Sequence, residues 1–155
     1  TKEMSEQIDH DENAVSIHVR RGDYLEPKYW KTTGCVCQLP YYLNAIAEMN
    51  KRISQPSYYV FSDDIAWVKE NLPLPKAFFI DWNKGAESWQ DMMLMSRCRH
   101  HIICNSTFSW WGAWLNPREN KTVIMPERWF RHCETPDICP DKWIKVPINQ
   151  PDSIQ

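Results

Sequence analysis

One stretch of this sequence gathers charged side chains that can bind an anion. His18-Val19-Arg20-Arg21-Gly22-Asp23 places three basic side chains and a carboxylate at the end of an apolar run. Burying so many charges without partners is costly, and a guanidinium suits fork-like binding of a diphosphate. If the strand persists, the two arginines face opposite sides, one towards a ligand and one towards the neighbouring loop. The alternatives are a surface arginine pair in salt bridges with local acids, or an adhesive Arg-Gly-Asp tripeptide.

A second stretch, Asn105-Ser106-Thr107-Phe108-Ser109, places small hydroxyl residues between an apolar run and a helical pattern. The free backbone N–H groups and the dipole at a helix start favour an anion. The alternative is that a serine here only caps the helix. Trp110, Trp111 and Trp114 follow at helical spacing and are predicted to be structural, forming one face of that helix.

A third stretch, Phe61-Ser62-Asp63-Asp64, adds two carboxylates after another apolar run. One aspartate is expected to cap the following helix. The other is then available to accept hydrogen bonds from a guanine base or a ribose hydroxyl.

The elements that would position these residues follow two hydrophobic periods. Strands are predicted at 14–20, 57–62, 77–80, 101–105 and 122–125, and helices at 40–55, 63–71, 89–96 and 107–115. Trp89, Met92, Met93 and Ser96 are expected to share one helical face. Strands that alternate with helices, and are apolar on both faces, predict an α/β fold with a Rossmann-like parallel sheet and helices on both faces. Ligands then bind at the carboxyl ends of strands, near a topological switch point.

The remaining segments set the expected boundaries. Residues 1–13 are charged and lack an apolar face, so they are predicted to be a linker or a frayed end. The domain is expected at 14–146, with 147–155 as a proline-rich tail. Residues 23–40 lack periodicity and are predicted to be a long loop, a kind of segment that is often functional.

Composition excludes several function classes. A length of 155 residues supports one core, and the net charge of −2 leaves no general field for nucleic acid. No apolar run approaches the roughly 18 residues of a membrane span. Of the six cysteines, Cys98 and Cys104 lie in apolar periodic segments, which favours reduced thiols over a disulfide framework. Cys35-Val36-Cys37 with His132-Cys133 lacks the spacing of a structural zinc module, so no metal is expected.

Taken together, the motifs resemble those of the bacterial α-1,2-fucosyltransferases, glycosyltransferase family 11. The matching stretches are His18 through Tyr24, Phe61 through Asp64, Trp89-Gln90-Asp91-Met92 with Leu94 through Cys98, and Asn105 through Trp114. The similarity covers roughly residues 14–146. It implies the carboxyl-terminal half of a GT-B type enzyme, in which two Rossmann-like halves face a cleft.

The resemblance also implies a reaction, namely metal-independent, inverting transfer of fucose from GDP-fucose to the 2-hydroxyl of a galactose-terminated glycan. Arg20 would bind the β-phosphate and Arg21 would support the loop. Asn105, Ser106, Thr107, Phe108 and Ser109 would belong to the donor site, with Ser106 and Thr107 cradling the phosphate. Asp63 or Asp64 would hold guanine or ribose. Asp23, or else His18, would be the base.

The family's glycine-rich Gly-x-Gly-Asn segment is not found, so this chain is expected to be a fragment that lacks its partner domain and has negligible transfer activity alone. The expected setting is the bacterial cytoplasm and glycan synthesis at the membrane, with peripheral association of the full-length protein as an alternative. Two rival functions remain open. One is a nucleotide-sugar-binding module without catalysis, and the other is a fucosyltransferase for protein or N-glycan cores.

Overall fold

Strands and helices alternate along the computed structural model, which describes residues 1–131, 133 and 135–149. The strands are β1 (Ala14–Val19), β2 (Ser57–Ser62), β3 (Ala77–Ile80), β4 (His100–Ile102), β5 (Val123–Pro126) and β6 (Ile144–Val146). The helices are α1 (Lys2–Asp9), α2 (Pro27–Tyr29), α3 (Leu39–Arg52), α4 (Ile65–Asn71), α5 (Trp89–Arg97) and α6 (Thr107–Trp114). Single 3₁₀ turns lie at Asp23–Leu25, Gly85–Glu87 and Pro136–Ile138, and a π-helical turn spans Trp30–Gly34.

The strands form one sheet in the order β3-β2-β1-β4-β5-β6, and every neighbouring pair is parallel. The chain therefore runs outward from β1 in one direction, returns to the centre, and runs outward in the other. The switch point lies between β1 and β4, where Ile17 pairs with Ile102. A crevice outside the carboxyl ends of these two strands is where such folds bind ligands.

Both faces of the sheet are covered, which confirms the predicted α/β class. On one face, Val15, Ile17 and Val19 pack with the apolar side of α3. On the other, Tyr59 and Phe61 of β2 pack with α1 and α5. Because side chains alternate along a strand, the residues of β1 that point away from α3 point towards α5 and α6.

The amino-terminal segment differs from the prediction. Residues 2–9 form helix α1 instead of a linker, and Ile8 is fully buried in the core beneath it. Arg97 at the end of α5 forms an ion pair with Asp9. Half of the residues of this helix are charged, and Ile8, the partly buried Met4 and the ion pair attach it to the domain. The domain therefore begins before residue 14.

The other differences from the prediction lie in segments where the hydrophobic periodicity is weak. The predicted loop at 23–40 is largely a series of short helical turns. The predicted fourth strand ends at Ile102, and β6 was missed as a strand. In α5 the buried residues are Leu94 and Met95, so the predicted face was wrong.

The tryptophans of α6 are only partly structural. Trp111 and Trp114 are 46% and 49% exposed, while Trp110 packs between Trp114 and Trp143. The tail prediction falls mostly on residues outside the described ranges. Asn44, however, donates to the carbonyls of Pro147 and Asn149, and this holds the start of the tail against α3.

None of the helices in the described part of the chain has the length and apolar composition that a bilayer crossing demands. All six cysteines lie within the described residues and are free thiols. Cys98 and Cys104 are buried, as expected of small apolar side chains.

Candidate functional site

The two arginines after β1 diverge, as the alternation of a strand predicts. Arg20 turns towards the start of α6, where its Nη1 donates to the hydroxyl of Ser106 at 3.5 Å. Arg21 turns towards α4, where its Nε donates to Asp64 at 3.3 Å and its guanidinium lies 4.1 Å from the centre of the Trp67 ring. One arginine therefore faces the switch point, and the other fastens the loop.

Arg20 is held by its own loop as well. Its Nε and Nη2 donate to the two carboxylate oxygens of Asp23 at 3.2 and 2.8 Å. The ring of Tyr24 lies 4.4 Å below the guanidinium. The hydrogen bonds to Asp23 raise the pKa of Arg20 further, so the group is a fixed cation.

Ser106 is the residue before α6, but its side chain does not cap the helix. The residue is almost fully buried, and its hydroxyl accepts from Arg20. The alternative that this serine serves only as a helix cap is therefore not supported. The first N–H groups of a helix lack partners within it, so Arg20, Ser106 and the start of α6 bring several hydrogen-bond donors together.

The other residues of this motif divide into structural and exposed positions. Asn105 is buried and donates to the carbonyls of Thr33 and Trp129, which joins two loops. Ser109 is buried and donates to the carbonyls of Cys104 and Ser106. Thr107 is exposed in the first turn of α6, where a ligand can reach it. Phe108 packs against the ring of His18, with ring centres 5.7 Å apart.

Asp63 and Asp64 are both engaged by the protein, contrary to the expectation that one stays available. Asp64 caps α4 by accepting from the N–H of Trp67. Asp63 accepts from the N–H groups of Arg21 and Gly22, each at 2.8 Å. These two carboxylates therefore shape the loop that carries Arg20.

The surroundings of Asp23 and His18, the two candidate bases, lower the pKa of both side chains. The hydrogen bonds that Asp23 accepts from Arg20 hold the pKa of Asp23 below its usual value, which makes this carboxylate a weaker proton acceptor. Burial lowers the pKa of His18 to about 3, with a further contribution from the charge of Arg20. The Nδ1 of His18 lies 3.4 Å from the sulfur of Cys104.

A cleft of about 460 Å³ lies at the carboxyl ends of β1, β2 and β3. His18, Asp63 and Phe108 line one side. The opposite side includes Asn83 and Asp91, two residues to which the sequence analysis gave no role. Asn83 donates to Asp91 at 2.8 Å, and burial raises the pKa of Asp91. The signal for Asp91 was its place in a family motif, whereas Asn83 gave no signal.

Tyr24 is a further residue that sequence reasoning did not single out. Its hydroxyl donates to the carbonyl of Asn105 at 2.8 Å and so joins the two motifs directly. Burial raises the pKa of Tyr24 to about 12. The following loop returns so closely that a Cβ at Gly34 would lie 1.8 Å from the carbonyl oxygen of Tyr24, so only glycine fits there.

Across the described ranges, no group of three or more His, Cys, Asp or Glu side chains is placed to hold a metal ion. The fixed positive charge at the switch point is that of Arg20.

The strand order defines a Rossmann-like α/β domain, and the donors around Arg20 lie at its switch point, where such folds bind ligands. Residues 2–146 match the model of glycosyl transferase family 11, and the chain belongs to this family. The family predicted from the motifs is thereby confirmed.

Three relatives illustrate the relationship. The chain is 38% identical over 149 residues to alpha-1,2-colitosyltransferase of Escherichia coli, covering 94% of this chain and 51% of that protein. It is 37% identical over 135 residues to the O-antigen biosynthesis glycosyltransferase WbnK of Escherichia coli, with coverage of 86% and 45%. It is 35% identical over 105 residues to galactoside alpha-(1,2)-fucosyltransferase 1 of Saimiri boliviensis boliviensis, with coverage of 65% and 28%. The chain thus spans about half the length of these bacterial relatives.

Proposed function

We propose that this chain is the donor-binding half of an inverting glycosyltransferase that transfers fucose from GDP-fucose to the 2-hydroxyl of a galactoside. The observation that carries the proposal is the contact between Arg20 and the hydroxyl of Ser106, which does not cap α6. This contact lies at the start of α6 and at the switch point of the sheet. The names of the relatives support the linkage, because two of the three describe α-1,2 transfer.

The proposed chemistry is electrostatic. Breaking the bond between the sugar and the diphosphate builds positive charge on the sugar and negative charge on the departing GDP. Arg20 would neutralise the β-phosphate, while Ser106, Thr107 and the N–H groups of α6 would bind the remaining oxygens. Donors fixed before the reaction stabilise such charge without reorganising, which is a large contribution to catalysis. A fixed guanidinium would here do the work that a divalent cation does in other transferases.

The proposed place for the nucleoside is the cleft lined by His18, Asp63 and Phe108. Phe108 offers an aromatic surface, and the half-buried carboxyl of Asp91 is a suitable acceptor for the N–H groups of guanine. Asp63 lines the same cleft while it anchors the Arg20 loop. In this proposal Arg21, Asp63 and Asp64 contribute by supporting the loop.

A second candidate is a domain that binds a nucleotide sugar without transferring it. It is favoured by the state of the two candidate bases, because Asp23 is paired with Arg20 and burial lowers the pKa of His18. The two candidates share the donor site and differ in turnover with a galactoside. GDP binding tests what they share, and release of GDP from GDP-fucose in the presence of lactose separates them.

The test is calorimetric titration of the folded chain with GDP. We expect Arg20→Ala to weaken binding about tenfold to a hundredfold, because a hydrogen bond to a charged group contributes about 1.5–3 kcal/mol. Arg97→Ala is the matched control, since Arg97 also pairs through Nε and Nη2 with an aspartate but lies at the other end of the sheet. No heat at millimolar GDP, or an effect of Arg20→Ala within twofold, would contradict the donor-site assignment.

A further inference from the structure

The contacts that hold the Arg20 guanidinium leave one of its edges free of Asp23. Asp23 takes the edge of the guanidinium formed by Nε and Nη2, and the ring of Tyr24 covers one face. Nη1 lies on the opposite side of the group, and it points to the hydroxyl of Ser106. The edge that faces the start of α6 is therefore the edge that Asp23 leaves open.

We propose that Asp23 is a positioning residue, which holds Arg20 by one edge so that the other edge is presented to the phosphate of the donor. This inference rests on the proposed function, in which that phosphate binds at Arg20 and Ser106. It replaces the role of proton acceptor that the motif suggested for Asp23.

The local structure favours a positioning role for Asp23 over a simple surface ion pair with Arg20. Asp23 opens a 3₁₀ turn, three residues after Arg20, and the turn is tied back by the N–H of Leu25, which donates to the carbonyl of Arg21 at 2.9 Å. Tyr24 is fastened in turn to the carbonyl of Asn105. The carboxylate and the ring that hold the guanidinium therefore sit on one short segment anchored to both motifs. An arginine side chain has many rotamers, and holding one of them in advance lowers the entropic cost of binding.

The proposal makes a prediction opposite in sign to that of simple electrostatics. Removing a negative charge beside an anion site should strengthen binding of the anion if the charge does nothing else. If Asp23 positions Arg20, Asp23→Asn instead weakens GDP binding, about threefold to tenfold, as expected when one rotamer-rich side chain loses its restraint. Asp23→Glu, which keeps the carboxylate, recovers part of the loss.

The experiment is calorimetric titration of wild type, Asp23→Asn, Asp23→Ala and Asp23→Glu with GDP and with guanosine. The matched control is Asp9→Asn, which opens the other bidentate arginine pair. We expect weaker GDP binding in the asparagine and alanine variants, with guanosine binding unchanged, because only the phosphate contacts Arg20. A parallel loss of guanosine binding would indicate a structural role and overturn the proposal.

The remaining outcomes are also decisive. Unchanged GDP affinity in Asp23→Asn and Asp23→Ala would overturn positioning and leave the proton-acceptor role open. Tighter GDP binding would show that Asp23 competes with the phosphate for Arg20, which also overturns it. If wild type bound no GDP, the proposed function would fail and this inference with it. If wild type bound GDP, and if Arg20→Ala lowered the affinity for GDP while the Asp23 variants did not, only this inference would fail.

Discussion

Nη1 of Arg20 lies 3.5 Å from the hydroxyl of Ser106, although 86 positions separate the two residues in the chain. The contact crosses the switch point and connects the end of β1 to the start of α6. The candidate site thus depends on the whole sheet, so each experiment on it has to separate loss of the site from loss of the fold.

Ser106→Ala tests the hydroxyl beside Arg20. Because this hydroxyl does not cap α6 and accepts one long hydrogen bond, we expect the free energy of unfolding to fall by no more than about 1 kcal/mol. The dissociation constant for GDP should rise roughly threefold to tenfold, as for loss of one hydrogen bond. Calorimetry and urea unfolding measure the two quantities.

Ser109→Ala is the control for that experiment. Its buried hydroxyl bonds to backbone carbonyls, so its loss should cost about 1 kcal/mol of stability and affect GDP binding less than Ser106→Ala does. The reverse pattern would contradict the assigned roles.

Asp91→Ala tests the proposed place of the base. If guanine lies in the cleft and donates to Asp91, wild type should prefer GDP to ADP, and the variant should lose most of that preference. Asp81→Ala is the matched control, because Asp81 lines the same cleft but is exposed. An equal preference for GDP in wild type and in Asp91→Ala would place the base elsewhere.

Gly34→Ala tests the close return of the loop after Arg20. The new Cβ would lie 1.8 Å from a backbone carbonyl, which cannot yield, so we expect a loss of about 3 kcal/mol or more in urea unfolding. Gly85→Ala provides the comparison, since Gly85 has a φ of 57° and no atom within 4 Å of a Cβ. Strain there should cost only about 1 kcal/mol. Equal losses would show that the contact at Gly34 relaxes freely.

The pH dependence of stability tests a buried histidine. Burial lowers the pKa of His101 to about 3 from an ordinary value of 6.5, so between these values the unfolded chain binds a proton that the folded chain does not. Stability from this residue is complete above pH 6.5 and is lost as the pH falls towards 3, at a slope on the order of 1 kcal/mol per pH unit. His18 acts with the same sign.

His101→Asn should reduce that slope in urea unfolding measured between pH 7 and pH 5. The variant will be less stable at neutral pH, because His101 bonds to Ser16 and Asn116 in the core. The slope is therefore the quantity to compare. An identical slope in the two proteins would show that His101 does not titrate on unfolding.

The sequence predicted those parts of the fold in which regularly spaced apolar residues mark the buried face of a strand or helix. Strands β2 and β3 have the predicted bounds, and the divergence of Arg20 and Arg21 follows from strand alternation. Helix α1 escaped prediction because only two apolar residues, Met4 and Ile8, pack it against the core. Two residues one turn apart are too few for a helical period to be detected.

The roles of polar side chains were harder to predict for a different reason. Both oxygens of Asp63 are taken by N–H groups 41 and 42 positions away, and this depends on how two loops meet. A local pattern shows that a carboxylate lies at a strand end. It does not show which backbone groups will reach that carboxylate first.

The strand order also has a consequence for synthesis of the chain on the ribosome. β1 is central, and its neighbour on one side is β4, whose pairing begins at His100. Arg20 leaves the ribosome 86 residues before Ser106, whose hydroxyl it contacts. The contact between these two residues therefore cannot form until α6 has left the exit tunnel, so the candidate site is completed well after β1 has emerged.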